Sequence, residues 1–121
     1  MSSYKNYYYK LTKDKQIVPA TMLEACEQMN NLEARLVGRT TVNDLCISTV
    51  FLTIPHGSVK GKPLLFETLV FDKAGNEVAG NRYTNYEEAL EGHNKFIDTY
   101  RKQSRGFFSR LLYILKQLMS S

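Results

Sequence analysis

The spacing of apolar and polar positions changes several times along this 121-residue chain, and each change marks an element. Tyr7-Tyr8-Tyr9-Lys10-Leu11 and Gln16-Ile17-Val18 are β-favouring runs, joined by Thr12-Lys13-Asp14-Lys15, a polar link of hairpin length. Thr21-Met22-Leu23-Glu24 has the form of a capping box, which predicts a helix from Met22 to about Glu33. Its apolar side is expected to carry Leu23, Cys26 and Met29 or Asn30. Arg35 to Val42 reads as a strand, Asn43-Asp44 as a turn, and Leu45 to Ile54 as the next strand. Pro55 to Pro63 contains Pro, Gly and Lys at positions that cannot continue a strand, so a surface loop follows.

Leu64 to Phe71 is apolar apart from Glu67 and Thr68, as a central strand covered on at least one face should be. Asp72-Lys73-Ala74-Gly75-Asn76 supplies a hairpin loop into a strand from Glu77 to Tyr83. Thr84-Asn85-Tyr86-Glu87 is a second capping box. It opens a helix to about Lys102, with Tyr86, Ala89, Leu90, His93, Phe96, Ile97 and Tyr100 at helical spacing. The order predicts an α+β fold: an antiparallel β-sheet with an N-terminal hairpin, one central helix, one helix after the sheet and a C-terminal amphipathic helix. Residues 1–102 read as one domain and 103–121 as the separate basic helix.

That last helix has a broad apolar face of Phe107, Phe108, Leu111, Leu112, Ile114, Leu115, Leu118 and Met119, with Arg110 and Lys116 on the polar side. It is too short to span a bilayer. The favoured reading is docking against protein, either its own domain or a second copy in a homo-oligomer. The alternative is peripheral contact with a membrane surface, Arg110 and Lys116 facing anionic headgroups.

Composition changes the picture in three places. The length suits one hydrophobic core. Cys26 and Cys46 lie in apolar surroundings without CxxC spacing, so they are expected to be reduced and buried, and no secretion signal is evident, which points to the cytoplasm. The net charge of +4 is uneven: from Lys95 onward six basic residues face Asp98 alone, leaving the body near neutral. Tyr4, Tyr7, Tyr8 and Tyr9 with Lys5 and Lys10 could stack bases, but strand alternation divides them between two faces, and nucleic-acid binding is disfavoured.

Chemistry-bearing residues are sparse. His56, Glu67 and His93 could converge on a metal or acid–base site, and with Arg82 they form the candidate ligand-binding set. Each also has a structural reading: His93 as a core histidine, Glu67 paired with Arg82 across adjacent strands, His56 capping a loop. The Gly57 to Gly61 loop lacks a phosphate-binding pattern, and Ser48, Ser58 and Thr49 lack a nucleophile-elbow context. No catalytic residue, metal or cofactor is assigned.

Taken together, Tyr7-Tyr8, Ala20-Thr21-Met22-Leu23-Glu24, Ser48-Thr49-Val50-Phe51-Leu52, Pro63-Leu64-Leu65-Phe66-Glu67-Thr68, Val70-Phe71, Arg82-Tyr83-Thr84 and Glu88-Ala89 with Gly92-His93 form an ordered pattern. It resembles a widespread family of small, functionally unassigned proteins of tailed-phage and prophage genomes. The likeness runs to about Tyr100 and implies a bacteriophage protein at work inside a bacterial cell. It brings no catalytic residue. Pro55 stands where the family has an aspartate before its loop histidine, and the stretch after Lys102 lies beyond the resemblance. The expectation is a non-catalytic binding module acting on a host protein or host-derived small ligand. An acid–base or metal-dependent enzyme using His56, His93 and Glu67, and a membrane-surface accessory protein, are the alternatives.

Overall fold

A computed structural model describes residues 7–119, of which 104–108 are described as helical backbone alone. The fold is α+β, with antiparallel sheets, an N-terminal hairpin and a C-terminal helix. The hairpin pairs β1 (Tyr9–Leu11) with β2 (Ile17–Pro19). Then come α1 (Met22–Met29) and the short α2 (Leu32–Arg35). The four-stranded sheet is a meander of β3 (Leu36–Val42), β4 (Leu45–Phe51), β7 (Phe66–Phe71) and β8 (Glu77–Tyr83). Between β4 and β7 the loop folds back as two-residue strands, β5 (Ser58–Val59) and β6 (Lys62–Pro63). One 34-residue helix, α3 (Tyr86–Met119), closes the described chain and packs against all four strands.

The caps follow local chemistry. Thr21 accepts from the Glu24 N–H while the Glu24 carboxylate accepts from the Thr21 N–H, so the first capping box forms in both directions. The second forms differently: the Asn85 side chain accepts from the Glu88 N–H, and Thr84 instead donates to the Glu88 carboxylate. Asn30-Asn31 breaks the predicted first helix. The Asn31 side chain accepts from the Ala34 N–H and restarts the chain as α2.

α1 does not use the side expected of it. Cys26 is exposed, as are Leu23 and Met29, and Ala25 is the residue buried. The helix is docked by polar contacts instead: Lys10 pairs with Glu24, while Gln28 exchanges two hydrogen bonds with the backbone of Leu11. The Lys10 ammonium, followed by the Thr21 N–H, lowers the Glu24 carboxyl to about 2. Cys46 is half-buried, so neither cysteine is a core residue, and both are free.

Residues paired across an antiparallel ladder share a face, so register sorts the sheet into two sides. Ile47, Thr49 and Phe51 of β4 oppose Val70, Thr68 and Phe66 of β7, and all six are fully buried beneath α3. Two apolar clusters result. Leu11, Phe51, Leu65, Phe66, Tyr83 and Ala89 form one, with Phe51 and Phe66 edge to face at 5.2 Å. Val42, Ile47 and Val70 form the other, against Phe96, Ile97 and Tyr100.

Beyond Tyr100 the helix leaves the sheet. It continues unbroken through the expected boundary at Lys102, and residues 109–119 are all exposed. The basic amphipathic segment is therefore the second half of α3, and its residues 109–119 are not buried against the described body. The side chains of Phe107 and Phe108 lie outside the described set, as do Tyr4 and Lys5.

Candidate functional site

A polar layer lies between the two apolar clusters. Strand alternation gives Thr49 and Thr68 the same parity as Ile47, Phe51, Phe66 and Val70, so two hydroxyls are delivered into the interior, directly opposite each other. From α3, His93 drops into the same layer and is 3 % exposed. Its ring nitrogens have one partner each: Nδ1 lies 2.7 Å from Thr49 Oγ1 and Nε2 lies 3.0 Å from Thr40 Oγ1. Thr49 and Thr68 hydroxyls are 2.5 Å apart, and the Tyr83 hydroxyl donates to Thr68 at 3.1 Å.

One arrangement gives every hydroxyl of the chain an acceptor. Tyr83 donates to Thr68, Thr68 to Thr49 and Thr49 to Nδ1, and in it the proton of the neutral imidazole is on Nε2, toward Thr40. Burial pushes His93 below the ordinary imidazole range and pushes the Tyr83 phenol up. Protonation of Nδ1 would reverse the Thr49 hydroxyl and set two donors against each other. Two glycines make room for the layer: a Cβ on Gly38 would lie 2.8 Å from His93 Nε2, and one on Gly92 would lie 2.2 Å from the Tyr83 hydroxyl.

The other candidates sit elsewhere. Glu67 follows the opposite parity to Thr68, on the face of the sheet that α3 does not cover, and its carboxylate accepts from Arg82 Nε at 2.9 Å across the β7–β8 ladder. Arg82 Nη1 also reaches the His56 carbonyl at 3.4 Å. Glu67, Arg82 and the His56 backbone thus come together, whereas His93 is sealed on the far side of the sheet. Among the described residues no group of three His, Cys, Asp or Glu side chains could hold a metal ion. The proposed convergence of His56, Glu67 and His93 is not built.

The uncovered face has its own character. Cys46, Ser48 and Val50 of β4 and Leu69 and Phe71 of β7, on the side of the sheet away from α3, are half-buried. Arg39 and Thr41 flank them on β3, and a shallow depression lined by Glu67, Leu69, Glu77, Gly80, Asn81 and Arg82 runs along β7 and β8. Gly80 supplies its floor, since a Cβ there would meet the Thr68 carbonyl oxygen at 2.9 Å. A second, more apolar depression lies between Tyr7, Tyr9, Pro55, Gly57, Ser58, Gly61 and Pro63. Among the described residues that line it none is charged.

Sequence reasoning singled out His93 but missed its partners Thr40 and Thr49, and Thr68 and Tyr83 behind them. Hydroxyl residues at the buried parity of two apolar strands were the available signal. No helix of the described residues is long and apolar enough to cross a membrane. No family model, curated protein or solved structure matches the chain.

Proposed function

We propose that the protein is a small phage-encoded, non-catalytic binding module that captures a protein of its bacterial host on the uncovered face of its sheet. The observation that supports this reading is the division of labour between the two faces. Every hydroxyl and ring nitrogen of the His93 layer is engaged inside, out of a substrate's reach. The opposite face carries apolar Val50, Leu69 and Phe71 among Ser48, Arg39 and the Glu67–Arg82 pair, a mixture of apolar centre and charged rim suited to a protein partner.

An acid–base or metal-dependent enzyme built on His56, His93 and Glu67 has less support, because the sheet stands between its members. The test is capture of host proteins by the immobilised chain, followed by titration of the captured partner. Ser48→Arg and Leu69→Arg, both on the uncovered face, are expected to abolish capture with the melting temperature nearly unchanged. Capture that survives both substitutions would sink the assignment of the face. Turnover of a small-molecule substrate that survives them and is lost in His93→Gln would replace the module with an enzyme.

A further inference from the structure

The overhanging half of α3 carries an apolar surface that the fold leaves unexplained. Leu111, Leu112, Ile114, Leu115, Leu118 and Met119 are 40 %, 59 %, 53 %, 44 %, 68 % and 85 % exposed. At ~100° per residue these six fall within an arc of roughly 160°. The same arithmetic places that arc over Tyr86, Ala89, His93, Phe96, Ile97 and Tyr100, the residues of α3 that the sheet covers. The two sets therefore fall on one side of α3, and the sheet covers only the first of them.

That alignment decides what can cover the rest. Among the described residues the chain's own domain does not bury it: the last packed positions of α3 end near Tyr100, whose carbonyl accepts from Asn43, and residues 109–119 are exposed. A flat bilayer meets an obstacle: the sheet lies on the same side of the helix as the exposed stripe. Bringing the stripe to the depth of an interfacial helix, ~5–10 Å into the headgroups, would drive the folded body into the lipid. A second arm meets no obstacle if it runs antiparallel. A parallel partner would have to occupy the volume of the first copy's sheet.

We propose that the overhanging half of α3 is a dimerisation arm, and that two copies pack these arms antiparallel, stripe against stripe, with the two sheets at opposite ends. Burying an aliphatic side chain removes roughly 60–120 Å² from water. Six per copy therefore remove roughly 360–720 Å², about half or more of the ~800 Å² per partner of a standard interface, and the flanking side chains add the rest. Arg110 and Lys116 border the stripe and stay in water at the rim, where their stems can lie over the partner helix. The pair displays two uncovered sheet faces pointing in opposite directions.

Sedimentation equilibrium of the full chain tests this, with an expected mass of two 13.9 kDa chains at micromolar concentration. Leu111→Glu with Leu115→Glu, which keeps good helix formers in the middle of the stripe, should weaken association at least ~100-fold while leaving the melting temperature of the dilute monomer unchanged. Tyr113→Glu, on the outer side, should leave the dimer intact. Orientation is read in a Cys26→Ser background carrying Met119→Cys. Antiparallel arms hold the two sulfurs at opposite ends of the overlap, so no intermolecular disulfide forms on mild oxidation. A monomer at sub-millimolar concentration overturns the proposal, as does a dimer that survives the double glutamate variant. Ready cross-linking at 119 overturns the antiparallel arrangement. Co-sedimentation of a monomeric chain with phosphatidylglycerol vesicles, absent with phosphatidylcholine, transfers the arm to a membrane.

Discussion

Gly92→Ala offers a clean conflict between local and tertiary energetics. Gly92 lies inside α3, where alanine is favoured over glycine by about 1 kcal/mol, so helix propensity alone predicts a more stable protein. The packing predicts the reverse. An alanine Cβ would sit 2.2 Å from the Tyr83 hydroxyl and 2.3 Å from two of its ring carbons, and the Tyr83 ring is anchored by its neighbours in the core. Overpacking of this kind costs ~1–3 kcal/mol, and displacing Tyr83 also breaks its bond to Thr68, worth ~0.5–1.5 kcal/mol. The net expectation is a loss of about 1–3 kcal/mol. At ~4–8 °C per kcal/mol for a body of this size, the melting temperature should fall by roughly 5–20 °C. Urea unfolding with an unchanged m-value would confirm that stability, and not the unfolded state, has moved. A second variant identifies the cause. Tyr83→Ala removes the clashing ring, so Gly92→Ala added to it should be neutral or stabilising, a strong non-additivity. Equal destabilisation in both backgrounds would refute the steric argument, and a stabilised single variant would refute the close approach of ring and helix.

Three further outcomes follow from the same geometry. His93 is neutral when folded and has its pKa below the ordinary 6.5 through burial, so the unfolded chain takes up the proton first. Stability should be full above about pH 6.5 and decline as pH falls toward the folded-state value, and denaturant titrations from pH 8 to 5 should show that slope vanish in His93→Gln. Arg82→Ala and Glu67→Ala should each cost under about 1 kcal/mol, because the pair is partly solvated, and a double-mutant cycle that returns several kcal/mol would show that the uncovered face is occluded. Cys26 should alkylate rapidly in the native protein and Cys46 more slowly, both giving free-thiol masses, and a protected Cys26 would mean that α1 packs on another surface.

Much of the fold was written in local pattern. The hairpin at Thr12-Lys13-Asp14-Lys15, the Thr21 capping box, the strand from Glu77 to Tyr83 and the start of the last helix each depend on residues within a few positions of one another, so a linear reading finds them. The cross-strand partnership of Glu67 with Arg82 was legible for the same reason, since a short hairpin loop dictates register.

What the sequence could not decide are matters of which surface meets which. Leu23, Cys26 and Met29 are apolar at helical spacing, yet α1 turns that side outward, because Lys10 and the Leu11 backbone of the hairpin offer polar partners to Glu24 and Gln28 on its other side. His93 and Glu67 look alike as isolated polar residues in apolar runs. Strand parity sends Glu67 to the uncovered face and brings two hydroxyls to His93, with two more linked behind them, so one is a rim charge and the other a bolt through the core. The helical stripe from Tyr86 to Met119 was readable as a single period, but only the width of a four-stranded sheet, ~15–19 Å beneath a helix of about 50 Å, determines where burial ends and the bare arm begins. Periodicity records that a surface is apolar; the size and position of the neighbouring layer decide whether the chain itself covers it.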